Sequence, residues 1–299
     1  MKKILHYLIV LFLLSPLTNV SAQDSDTTEI WTKGLQGSLT FSQVSLSNWA
    51  GGGDNSVALN GFINLFANKK KDRVSWENAL SMAYGLTQIG DQQLRKSDDR
   101  IELSSKYGYQ LSPTSDKLLF SSSMTFRSQF ANGFDFPNDS VRISKFLAPG
   151  YLLISTGIDF KPASYFSIFF SPLTGKITIV NDDDLAAVGA FGVDPGEKSR
   201  FEFGSFLKLH FNKEIVKNVN LESKLDLFSN YSENPEDIDV NWETAFVMKI
   251  NDFLSANLLT HLIYDKDVLF DVVENDVVVD QEDRIQFKQV FGIGLTFKL

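Results

Sequence analysis

The sequence predicts an all-β chain, an antiparallel, up-and-down transmembrane β-barrel of about 12 strands. Three observations predict it. Apolar and polar residues alternate with a period of two through about 12 segments of 9–16 residues, where soluble strands average about 5–6. The connections between those segments alternate between short turns and mostly longer loops, the pattern of short periplasmic turns and longer outer loops. The chain also opens on an export signal. Composition excludes other classes: among 299 residues there are 26 Phe, no Cys and a net charge of -9. A disulfide framework, thiol chemistry and intrinsic disorder are therefore ruled out, and so acidic a chain lacks a basic nucleic-acid surface.

Residues 1–22 read as a signal peptide. Lys2 and Lys3 form its basic start, Ile4 to Leu17 its apolar run, and Val20-Ser21-Ala22 its small-residue cleavage site. Cleavage leaves 26 basic against 37 acidic residues, a mature charge of -11. Residues 23–33 are expected to form a periplasmic segment ahead of a single barrel over 34–299, because a closed barrel leaves no linker.

The expected strands are 34–46, 56–67, 73–86, 99–111, 117–130, 146–161, 164–172, 200–211, 219–231, 240–250, 254–264 and 284–299. In the third, Trp76, Leu80, Met82 and Tyr84 share one face, and Glu77, Ala79, Ser81 and Ala83 share the other. The last is the clearest, with Phe287, Phe291, Ile293, Leu295 and Phe297 opposite Lys288, Gly292, Gly294 and Lys298. Alternation alone also fits a soluble sandwich or lipocalin-like barrel with its apolar face turned inward. Export, strand length and charge of both signs on the polar faces favour the membrane, and place the chain in the outer membrane with lipid as its first partner.

Three stretches, Ser42 to Gly53 (with Asn48-Trp49-Ala50-Gly51-Gly52-Gly53), Ser171-Pro172-Leu173-Thr174-Gly175-Lys176 and Ala190-Phe191-Gly192-Val193, resemble an uncharacterised family of Gram-negative outer-membrane β-barrel proteins, a domain of unknown function. The resemblance covers Trp31 to Leu299. It implies fold and location and supplies no activity. Trp49 has two readings, a member of the interfacial aromatic girdle or part of a loop that enters the lumen.

The polar faces carry the candidate lumen and constriction residues. Arg100, Glu102 and Lys106 fall on one strand and Arg127 on the next. Glu202 and Lys208 share a strand, as do Glu222, Lys224 and Asp226, and Glu243 follows. Such charges must be paired or hydrated inside a barrel. Lys176 falls in the 27-residue connection Leu173 to Ser199, whose Ile177, Val180, Leu185, Val188 and Phe191 predict a loop folded into the lumen that narrows the pore, with Asp182 to Asp184 capping a short helix. Between Asp265 and Asp283 eight carboxylates face Lys266 alone, a solvated outer loop without the spacing of a calcium loop.

Enzyme chemistry is not expected. His210 and His261 are the only histidines after cleavage, neither adjoins a serine nucleophile signature, and both read as lumenal hydrogen-bonding groups. No cofactor or metal is implied. The expected function is that of a porin-like, narrow channel for passive passage of small polar solutes. The alternative is a structural or partner-docking outer-membrane protein with a plugged, salt-bridged lumen, its partner in the outer membrane or periplasm.

Overall fold

The structure, a computed structural model, describes residues 30–47, 53–136, 138–274 and 277–298. The expected signal peptide, Asn48-Trp49-Ala50-Gly51-Gly52 and Asp276 lie outside the described residues. Twelve strands close into one antiparallel barrel. They are β1 (Ile30–Val44), β2 (Ser56–Lys71), β3 (Val74–Ile89), β4 (Arg95–Ser112), β5 (Ser115–Ser128), β8 (Gly150–Ala163), β9 (Phe166–Ile179), β10 (Ser199–Val216), β11 (Val219–Asn230), β12 (Ile238–Lys249), β13 (Leu254–Tyr264) and β16 (Gln286–Lys298). Each pairs with its predecessor in the wall, and β1 closes on β16 from Gln36↔Lys298 to Phe41↔Ile293. Two small hairpins stand apart from the wall, β6 (Gly133–Asp135) with β7 (Asn138–Ser144) and β14 (Leu269–Glu274) with β15 (Val277–Asp283).

All twelve expected strands are present, with shifted ends. The first begins at Ile30, inside the segment expected to precede the barrel. Residues 146–149 are not strand, because Lys145 and Ala148 bridge to each other in a tight turn ahead of β8. Short turns gather at one end, where Asp72 and Asn218 take left-handed φ of 51° and 66° in two-residue hairpins. The other end carries the long loops.

The largest correction lies in β9. Pro172 has no N–H to give a ladder and reads as a strand end, yet the strand continues to Ile179. A β-bulge accommodates it, with register shifts opposite both β8 and β10. The Ser171 hydroxyl stitches the bulge, its one proton shared between the carbonyls of Thr156 and Leu173, each 2.9 Å away, while its oxygen accepts from the Thr156 N–H at 3.0 Å. Gly157 is required beside it, since a Cβ there would collide with the Phe170 carbonyl oxygen. The expected 27-residue loop is therefore shorter, spanning 180–198, and Lys176 belongs to the barrel wall.

The two faces of the wall differ in chemistry. Large apolar side chains point outward on every side, among them Phe41, Leu103, Phe120, Ile154, Trp242 and Phe291. The inward face is polar and charged, with one apolar cluster of Phe169, Phe206 and Phe228 against Leu153. This is the reverse of a soluble β-barrel, which buries its apolar face.

Candidate functional site

Alternation sends Arg100 and Glu102 of β4, Arg127 of β5, Lys208 of β10, Asp226 of β11 and Glu243 of β12 to the lumen, and there they meet. Arg100 hydrogen-bonds Glu243, 143 residues away and on the strand diametrically opposite in the ring of twelve. Beside it Arg127 bonds Glu102 at 2.7 Å and Asp226 at 2.5 Å, with Lys208 3.5 Å from Asp226. Lys288 reaches across to Asp98 at 2.5 Å. His261 bonds Asn241 at 2.7 Å and lies 4.0 Å from the same Glu243 oxygen that Arg100 holds. These side chains form a waist.

Toward the short-turn end, Lys106 joins Asp159 at 2.7 Å and Glu77 at 3.2 Å, and Lys161 adds a second cation to Glu77. Glu222 pairs with Lys224 at 2.9 Å and His210 at 3.3 Å. Toward the long-loop end, Lys176 inserts among Asp239 at 2.6 Å, Glu202 at 3.2 Å and Asp265 at 3.6 Å. Its ammonium also lies 5.2 Å from the Phe228 ring centre. Eleven of the twelve expected lumen residues thus line the interior, and Trp49 is outside the described residues.

Sequence reasoning missed Asp98, Lys161, Asp239 and Asp265 as members of these ion pairs. Asp98 and Asp239 fell just outside strand ends drawn too short, and a longer strand window would have recovered them. Nothing local marks Asp265, which follows β13 and reaches Lys176 of β9 only because the barrel closes.

Two cavities adjoin the waist, and Asp98, Arg100, His261 and Lys288 border both. One, of about 150 Å³, lies toward the short-turn end between Ser38, Asn64, Thr244 and Thr260. The other, of about 370 Å³, lies toward the long loops, lined by Tyr151, Lys176, Phe191, Phe228, Asp239 and Asp265.

The loop after β9 partly roofs the larger cavity. A short helix, α1 (Asp183–Ala187), is capped by Asp182, which accepts from the N–H groups of Asp184 and Leu185. Ala148, Val180, Leu185, Ala186 and Val193 bury one another, with Ala190 and Phe191 packed against them. The apolar residues therefore gather at the rim, Phe191 alone among these seven lines the cavity, and Val188 stays in solvent, 74% exposed. Asp182 also pairs with Arg142 at 2.6 Å and Lys145 at 2.9 Å. Desolvation opposes its charge, but Lys145, the Leu185 N–H and Arg142 outweigh it and hold the carboxyl below its ordinary range. Among the described residues no group of three or more His, Asp or Glu side chains is arranged to hold a metal ion.

Residues 41–134 match the family described as Protein of unknown function (DUF3078). No curated protein matches the chain. Among solved structures, the chain is similar to the COG4313 outer membrane channel from Pseudomonas putida F1, at 10% identity and a TM-score of 0.42, over 93% of this chain and 100% of that one.

Proposed function

We propose that this protein is an outer-membrane barrel offering small polar solutes a narrow passage, held shut at rest by its ion-paired waist. Membrane insertion is supported by the outward face. A continuous belt of exposed Phe, Leu, Ile and Trp encloses a charged interior, far more apolar surface than a monomer keeps in water. The leader read at residues 1–22 supports export, and the short turns then face the periplasm. One observation carries the passage: two cavities, one toward each end, are separated by side chains alone, with no helix or strand among the described residues crossing between them. Twelve strands leave a small lumen, below the 16–18 of general porins.

Pairing of the waist charges with each other favours a second reading, a permanently plugged structural barrel. Conductance in planar bilayers separates the two. Replacing both Arg100 and Glu243 by Gln removes the central bridge without stranding one buried charge, which alone would cost about 3–5 kcal/mol. The native protein is expected to show small, infrequent openings and the double variant larger, sustained ones. A correctly folded double variant that stays silent would leave the plugged barrel as the function.

A further inference from the structure

The long-loop end of the lumen holds more acid than base, and two of its carboxylates, Asp239 and Asp265, line the 370 Å³ cavity, where Asp98, Asp99 and Asp226 also stand among Arg100, Arg127, Lys176 and Lys288. Lys176 serves Glu202, Asp239 and Asp265, while Arg200 serves Glu233 at 2.5 Å and Asp267 at 2.7 Å, with Glu202 3.8 Å away. Five carboxylates thus share two cations. Asp226 lines the same 370 Å³ cavity with a side chain only 7% exposed, its Oδ2 held by Arg127 at 2.5 Å and its Oδ1 3.5 Å from Lys208. Asp280, Glu282 and Asp283 of β15 add further carboxylates, and negative charge of this kind concentrates cations before they enter.

The cavity already hosts one ammonium, that of Lys176, tethered to the wall. Its surroundings are those an alkylammonium seeks: carboxylate oxygens on one side and the Phe228 ring face on the other. Next to it, Phe206, Phe228, Phe191 and Tyr151 give the cavity an apolar wall, suited to a small hydrocarbon body. We propose that this outer vestibule is a binding site for small organic cations, solutes with a primary ammonium on a compact apolar or aromatic body. Asp239 and Asp265 receive the ammonium and the Phe206–Phe228 wall receives the body. This deepens the passage reading by naming its solute class, and it rests on that reading only for what happens after binding.

The test is direct binding to the detergent-solubilised full barrel, by calorimetry at pH 7 and low salt, with phenethylammonium against the carboxylate of matched size, 3-phenylpropionate. The native protein is expected to bind the ammonium and discriminate against the carboxylate by about tenfold or more. The Asp239→Asn/Asp265→Asn double variant leaves Lys176 paired with Glu202, and is expected to lose most of that discrimination. Equal or tighter binding of the carboxylate by the native protein would overturn the proposal, and that comparison needs no variant. Ammonium binding unchanged in a folded double variant would overturn it as well. Selective ammonium binding that depends on these aspartates, in a barrel that never conducts, would uphold the site and remove the passage.

Discussion

An arginine placed at the middle of a wall strand tests which solvent the outer face meets. Leu103 is the ninth of the 18 residues of β4, points outward between Leu80 and Phe126, and is 40% exposed. In a bilayer that position lies near the midplane, where an arginine costs about 2–4 kcal/mol. In water the same substitution would be close to neutral. Ser81→Arg is the matched change on the inward face. Ser81 pairs in register with Glu102 and lines the 150 Å³ cavity together with Glu222 and Glu243, so the new guanidinium has water and carboxylates within reach, and the net effect is expected within about 1 kcal/mol. Both variants would be folded into phospholipid vesicles and unfolded in urea, with heat-modifiable gel migration reporting the closed barrel. Leu103→Arg should shift the midpoint by the cost above and Ser81→Arg hardly at all. A Leu103→Arg barrel of native stability beside a Ser81→Arg chain that cannot assemble would refute the assignment of the faces.

Two further predictions concern the rim. Replacing 181–197 by Asn-Gly keeps the Ile179↔Ser199 pairing of β9 with β10 and removes α1 and the Phe191 lid. The barrel should still shift on heating in a gel, and larger solutes should reach the outer cavity, read as faster quenching of an environment-sensitive dye placed at Tyr151 through a Tyr151→Cys substitution; unchanged quenching would show that the loop is no barrier. Acid should loosen the same loop. Because the folded-state pKa of Asp182 is depressed, its contribution is present above the unfolded carboxylate value near ~4 and is lost as pH falls through the folded value. Hydrogen exchange at the capped N–H groups of Asp184 and Leu185 should accelerate below about pH 4, and Asp182→Ala, which removes the accepting oxygen, should show the loss already at neutral pH. Equal protection in native and variant protein at pH 7 would exclude the cap as the anchor.

The sequence by itself determined what is local. Strand periodicity is a property of neighbours two residues apart, so every wall strand and the chemistry of each face were legible, as in Phe287 and Phe291 against Lys288. The Asp182 cap was legible because a helix start is read within four residues. The bulge at Ser171-Pro172 was not, since proline ends a strand unless a facing Gly157 makes room, and that glycine comes from another strand. Tertiary structure alone decided who pairs with whom. Arg100 and Glu243 each announce a charge on a polar face, but only barrel closure brings β4 opposite β12 and turns two solvated-looking residues into a bridge across the lumen. Lys176 shows the same limit, because its three carboxylates come from β10, β12 and the end of β13. A charge can be predicted from the chain, whereas its partner is set by the distance that folding imposes, and Coulomb energy depends on that distance.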